Sequence, residues 1–529
     1  MNNSIKHEAR QSIIYLKFKK TMSYRNATTF IICQLFIFFV LISSIFSQAS
    51  FNQPRQQITK NQAIKSSDSD ACLQTLQTEI DRVLSDKNIQ KSKFGIAVYS
   101  LTTKKYYYQK NIDLPLTPAS NTKLVTCFVA LQELGKNFQI KTIVYTDSNK
   151  FQDSVLNGNL FIYGRGDPFL SISDIEKLAD DIKNLGIKRI NGSIYADGSF
   201  FDSKTVRKEY SGDAEHVEGT PPITALCFKK NIATILITSG AKPGTSTNVQ
   251  IIPSSPAFKV SNSSTVSKKG KISVSTKMVD GIQHFFISGS LPPNRTYSYS
   301  YYIYNPHLAI AGAFKERLEA GGIIIKDDFG IKEISKLDSN KRLYKLSETT
   351  RDIKNIIYPV LKKSDNFLAE MLFKLIGAES GKFSDNAAGA KTVTKKIMDK
   401  YSIFFQGCQL NDGSGLSRRN LLTAKTLVQL LIESEKLDFH RELDSCLAIA
   451  GTDGTLRRRM SDTHAYENLH AKTGTLRNAS SLAGYVNTID GERLCFAFIF
   501  NGNAVWYYKQ AEAEIGKTLS QFFYYNVEN

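Results

Sequence analysis

Apolar residues at Leu124, Phe128, Leu131 and Leu134 return at helical spacing, so residues 123–138 are read as an amphipathic helix. Just ahead of it, Phe94-Gly95-Ile96-Ala97-Val98-Tyr99 and residues 105–109 flank Thr102-Thr103 in the pattern of a β-hairpin. Residues 73–84 repeat with the helical period. Beyond residue 150 the texture changes: 159–163 read as strand, 172–185 as helix and 192–196 as strand, a small α/β unit. A Ser/Thr/Lys-rich β stretch covers about 231–304, and helical pattern resumes at 306–320. The helix starting at Phe367 and the strands at 481–488 and 494–501 follow. In the closing segment, 504–525, Trp506, Ala511, Ile515, Leu519 and Phe522 form one stripe, expected to pack on a sheet rather than on a membrane surface.

At 529 residues the chain is too long for one core and predicts at least two domains. The expected organisation is a leader at 1–49, a polar linker at 50–70, a main domain split between 71–149 and 306–529, and an inserted domain at 150–305. The leader carries basic residues, an apolar run over 28–46 and small residues at Ser47-Gln48-Ala49, the features of a secretory signal; an uncleaved anchor is the alternative. The formal net charge of +19 is spread along the chain, which suits a wall or membrane face. Nucleic acid is not expected as a partner, since no binding module accompanies the charge. Of seven cysteines one lies in the leader; Cys127 and Cys495 sit in apolar runs as expected buried thiols. Neither histidine nor cysteine spacing suggests a metal site, and no cofactor is expected.

Ser120 and Lys123 stand three residues apart at the expected entry of the 123–138 helix, where nearly one full turn puts both side chains on one face. A serine hydroxyl beside an uncharged amine is an activated nucleophile. Lysine titrates near 10.4, so half-neutrality at pH 7 needs a shift of about 3 units, roughly 4–5 kcal/mol. Burial and a second nearby cation are the means. The same spacing at Ser239 and Lys242 lies in a Gly/Pro/Ser/Thr-rich turn with no helix to hold the pair. Ser364-Asp365-Asn366 precedes an apolar helix, and a second Ser-Asp-Asn at Ser384 to Asn386 reads as an ordinary turn or cap. Lys472-Thr473-Gly474-Thr475 is the only Lys-Thr-Gly, and taken alone it reads as a strand-end turn. Conjunction in one order changes its meaning.

These motifs, with Asp412-Gly413-Ser414-Gly415-Leu416-Ser417-Arg418 and Gly164-Arg165-Gly166-Asp167-Pro168, resemble the penicillin-binding D-alanyl-D-alanine carboxypeptidases and endopeptidases of low molecular mass that carry a long insert between the first two motifs. The resemblance runs from about residue 71 to the C-terminus. It implies an α/β (α+β) fold: a DD-peptidase/serine β-lactamase-like transpeptidase domain, antiparallel sheet with flanking helices plus a helical subdomain, interrupted by an inserted α/β and β-rich domain that walls the cleft. Arg165-Gly166-Asp167 is then a tight turn rather than an adhesion signal, and the Asp412 to Gly415 stretch a shaped loop.

The resemblance further implies that Ser120 attacks a D-alanyl peptide carbonyl with Lys123 as base. Lys472 favours the neutral amine and attracts the substrate carboxylate, which Thr473 and Thr475 help hold. Ser364 relays a proton, Asn366 bonds the acyl amide, and the Ser120 and Thr475 amides form the oxyanion hole. Asp213 stands where related proteins can place a substrate-contacting aspartate. The implied partners are peptidoglycan stem peptides and β-lactam antibiotics, and the implied location is the periplasm or cell envelope. A serine β-lactamase is the nearest alternative. However, no Glu-x-x-Leu-Asn lies between the second and third motifs, and Tyr485-Val486-Asn487 follows Lys-Thr-Gly, out of order for another lactamase class. A non-catalytic wall-binding or antibiotic-sensing protein is the alternative outside enzymes.

Overall fold

The computed structural model describes residues 66–149, 151–213, 219–337 and 342–523. The leader and most of the linker lie outside these. Six strands form one antiparallel sheet in the order Ala448–Ile449, His470–Leu476, Ala479–Asn487, Arg493–Asn501, Lys93–Ser100, Tyr106–Lys110. The two halves of the chain thus meet where Lys93–Ser100 pairs with Arg493–Asn501.

Alternation along the strands explains what packs on each face. Phe496, Phe498 and Phe500 point to the side covered by helices Ser66–Leu84 and Val505–Gln521, with Leu76, Ile80, Ile515 and Leu519. Fully burying each phenylalanine contributes about 1.5–3 kcal/mol. The opposite face presents the small residues Ala97, Ala483 and Ala497, against which helix Ala424–Glu435 packs, with helices Thr122–Leu134 and Asn366–Glu379 completing the same core. Both faces are covered, so strands Ala479–Asn487 and Arg493–Asn501 are buried along almost their whole length, and the second reads as a nearly unbroken apolar run.

Helix Thr122–Leu134 ends at Gly135, whose φ of +88° suits glycine, and the chain then departs on its excursion. Strand Gln139–Thr146 pairs with Tyr344–Asp352, so departure and return lie side by side. Their sheet continues through Leu160–Gly164, Ile194–Asp197 and Phe329–Ile331, under helices Ile172–Asn184 and Pro306–Ala320. Two smaller sheets follow: Asn248–Ile252, Ile232–Thr238 and Thr296–Tyr302 in one, and Phe258–Asn262, Ile282–Leu291, Thr265–Val266 and Ile272–Val279 in the other. By sheet membership the excursion runs from near residue 139 to near 352, and the expected 150–305 lies within it.

Trp506 is a correction. It was expected in the core stripe and is 65% exposed, with its ring edge-on to Tyr507, whereas Ala511, Ile515, Leu519 and Phe522 are buried. It lies in the first turn of Val505–Gln521 on the side turned away from the core, into which Val505 and Tyr508 pack. All six described cysteines are free thiols, and Cys127 and Cys495 are buried as expected. Among the described residues no helix is long and apolar enough to cross a membrane.

Candidate active site

Ser120 sits in the short 3₁₀ turn Ala119–Asn121 that leads directly into helix Thr122–Leu134. Ala119 adopts φ +47°, a left-handed conformation costing a side-chain-bearing residue about 1–2 kcal/mol, so surrounding contacts must hold the turn. They do: the Pro118 carbonyl accepts from Ser481 Oγ at 2.6 Å, and the Ala119 carbonyl accepts from Thr122 Oγ1 at 2.9 Å. Gly415, at φ +82°, presses on the same turn; a Cβ there would meet the Ala119 carbonyl oxygen at 1.9 Å. Only glycine fits.

Lys123 is fully buried, with its Nζ 2.9 Å from Ser120 Oγ. The same nitrogen donates to Asn366 Oδ1 at 2.8 Å and to the Ser414 carbonyl. Burial lowers the amine to about 8, while the negative charges of Asp412, Glu370 and Asp365 limit that shift. Of the two means expected, burial and a second cation, burial is the main cause here.

Asp365 caps helix Asn366–Glu379 by accepting from the Leu368 amide at 2.9 Å, which places Ser364 and Asn366 on either side of the helix entrance. Ser364 is held at φ +60°, and its Oγ accepts from Lys472 Nζ at 2.9 Å. Lys472 also donates to the Thr473 carbonyl at 2.6 Å. Burial, then repulsion from Lys123, pushes it well below the usual lysine range. The Lys-Thr-Gly motif lies inside strand His470–Leu476 rather than at a strand-end turn. Thr473 Oγ1 donates to Thr455 Oγ1 at 2.7 Å, and Thr475 is exposed.

Thus two hydrogen-bonded groups, Ser120–Lys123–Asn366 and Lys472–Ser364, stand on either side of Asp365 at the helix entrance, with both amines sealed and both serine hydroxyls half-buried. Asp213 bonds to none of these: its carboxylate accepts from Arg207 Nη1 at 2.9 Å, and Arg207 also bonds Asp412 at 2.8 Å. The duplicate motifs stay apart. Asp385 accepts from the Ala388 amide as an ordinary cap, and Ser239 Oγ donates to the Pro292 and Arg295 carbonyls.

The sequence profile of the D-Ala-D-Ala carboxypeptidase 3 (S13) family matches residues 76–522. The chain belongs to that family. A D-alanyl-D-alanine carboxypeptidase of Actinomadura sp. (strain R39) is 30% identical over 451 residues, 82% of this chain and 82% of its own length. The D-alanyl-D-alanine carboxypeptidase DacB of Haemophilus influenzae is 25% identical over 427 residues, 79% of this chain and 87% of its own. The crystal structure of penicillin binding protein 4 from Haemophilus influenzae superposes with a TM-score of 0.65 at 23% identity, covering 83% of this chain and 99% of that one, a likeness of fold.

In this S13 chain several contacts at the cluster have no counterpart in the motif reading. The shaped loop supplies Lys123 with the Ser414 carbonyl, and Asp412 braces that loop by accepting from the Gly415 and Ser417 amides at 2.8 and 2.7 Å. Lys230, from the excursion, bonds Asp365 at 2.5 Å. Glu370 stands one turn beyond Asn366 on the same helix, a spacing that could have flagged it; nothing in the sequence points to Thr455 or Lys230.

Proposed function

We propose that the chain is an exported serine D-alanyl-D-alanine carboxypeptidase and endopeptidase that cleaves peptidoglycan stem peptides through an acyl-enzyme and binds penicillin. The observation that carries this reading is the surroundings of Lys123 Nζ. A neutral amine has two hydrogens and one lone pair. With Asn366 Oδ1 and the Ser414 carbonyl accepting the hydrogens, the lone pair is left for the Ser120 hydroxyl. Ser120 Oγ bonds to the D-alanyl carbonyl carbon while its proton passes to Lys123. The C–N bond then breaks, and the leaving amine takes a proton through Ser364, which Lys472 touches. Water cleaves the ester and restores the serine. Lys472, Thr473 and Thr475 bind the terminal carboxylate, Asn366 the acyl amide, and the Ser120 and Thr475 amides the oxyanion, each such donor contributing about 3–4 kcal/mol in comparable sites.

The inserted domain, which contains residues 150–305 within the 139–352 excursion, walls the cleft, with Asp213 contacting the stem peptide; the Arg207 bridge to Asp412 supports that role by tying the Asp213 segment to the site loop. The leader supports export to the periplasm or cell envelope, and the basic surface supports wall or peripheral membrane association. A β-lactam complex is known for the Haemophilus influenzae penicillin binding protein 4. The test is to incubate the mature protein with fluorescent penicillin and, separately, with cross-linked wall fragments, and to read adduct and products by mass spectrometry. A stable adduct on Ser120 with release of D-alanine is expected. Rapid penicillin turnover without an adduct would mark a lactamase, and biological activity intact in Ser120→Ala a non-catalytic binder.

A further inference from the structure

Behind the reacting amine lies a carboxylate that no step above uses. Glu370 is wholly buried in helix Asn366–Glu379. Its oxygens accept from the Ser414 amide at 2.9 Å, the Gly413 amide at 3.3 Å and the Tyr210 hydroxyl at 3.0 Å. Ser414 is therefore held at both ends: its N–H on Glu370 and its C=O on Lys123 Nζ. Tyr210 belongs to the excursion between the two halves of the main sheet, so a hydroxyl of that segment reaches the atom set that orients the amine.

We propose that Glu370 is a positioning residue for Lys123: by gripping the Gly413 and Ser414 amides it aims the Ser414 carbonyl at the amine. Its charge, answerable to the Tyr210 hydroxyl, sets how readily that amine gives up its proton. This rests on the reading of Ser120 and Lys123 as nucleophile and base. The charged and titratable groups facing Lys123 are Glu370, Asp365 and Asp412, Cys127 on its own helix and Lys472 from the strand. Those facing Glu370 are Asp412, Tyr210, Arg207, Lys391 and Lys123. Burial and then the charge of Asp412 raise Glu370 to about 7, against the pull of its three donors, so it changes charge near neutrality. Ionised, it retains the Lys123 proton; neutral, it releases it. A full ion pair in this interior would lock the amine protonated, whereas a carboxyl poised to titrate does not.

The test is the pH profile of labelling by fluorescent penicillin in the mature chain. Glu370→Gln removes the charge and keeps one acceptor oxygen, for the Ser414 amide, while its NH2 takes the place of the oxygen beside the Tyr210 hydroxyl and the longer Gly413 contact. The acid limb of its profile moves to lower pH, by on the order of half a unit. Tyr210→Phe removes a donor that favours the ionised carboxyl and moves the limb the same way by less. Glu370→Ala frees the loop and lowers the limiting rate at least tenfold at every pH. A limb in Glu370→Gln that overlays wild type while labelling persists overturns the proposal and leaves Glu370 a packing residue. Should that variant not fold, an unmoved limb in Tyr210→Phe, where only one oxygen is lost, overturns it equally. A wild-type chain that takes no label fails the underlying reading itself, which is a different result.

Discussion

Gly474 and Ser120 approach so closely that a Cβ on the glycine would stand 3.1 Å from the Ser120 amide nitrogen and 2.6 Å from the Pro118 carbonyl oxygen. The strand bearing Lys472 is thereby set against the turn bearing Ser120. Ser481 Oγ stands nearer still, at 2.2 Å, but the Pro118 and Ser120 groups are backbone and cannot rotate away.

Gly474→Ala should therefore wedge the strand off the turn. The expected cost is about 1–3 kcal/mol of stability and at least a tenfold loss in the rate of penicillin labelling. Labelling kinetics beside a thermal melt check this; a variant that labels at the wild-type rate would show that the contact is not needed.

The proposed reactive form is neutral Lys123, and burial lowers the amine to about 8. At pH 7 roughly a tenth of it is neutral, so labelling should climb about tenfold between pH 7 and pH 9. Pre-steady-state labelling across that range reads this directly. A flat profile would mean that another group takes the serine proton.

The same shift has a consequence for stability. The folded amine titrates at about 8 against 10.5 for the free side chain, so between these values the unfolded chain binds more protons. Stability then rises with pH through this window, the penalty being fully present below 8 and gone above 10.5. Relative to Lys123→Met, wild type should gain thermal midpoint as pH is raised from 8 to 10.5. Parallel curves for the two proteins would contradict the buried-amine account.

Asp365 both caps its helix and receives Lys230. Asp365→Ala should cost about 1 kcal/mol from the cap and slow labelling by disturbing Ser364 and Asn366. Lys230→Ala removes only a pair with its partners 30% and 23% exposed, and should cost under about 1 kcal/mol. Urea midpoints separate the two.

Asp213→Asn should raise KM for stem peptides while labelling by a plain penicillin keeps its rate. A uniform fall in both, together with a lower thermal midpoint, would confine Asp213 to bracing Arg207.

The local parts of the site were legible in the sequence. Ser120 and Lys123 meet because helical spacing brings residues three apart together, and Asp365 caps because a short polar side chain precedes an apolar helix. The apolar periods likewise placed the hairpin, the helix Pro306–Ala320 and the strands that cover the Lys-Thr-Gly run. Where the excursion leaves the main sheet was not legible, because strands Gln139–Thr146 and Tyr344–Asp352 declare their sheet only by pairing with each other.

By itself the sequence determined which chemistry is carried and on which elements, since helix periods, caps and the order of three polar motifs are properties of neighbouring residues. Only the tertiary structure decided that Lys472 touches Ser364 across 108 positions, that desolvation lowers Lys123, and that Glu370, Ser414 and Tyr210 stand behind it. Burial and the field of distant carboxylates arise when separate segments pack and exclude water, and neither is a property of any single stretch of chain.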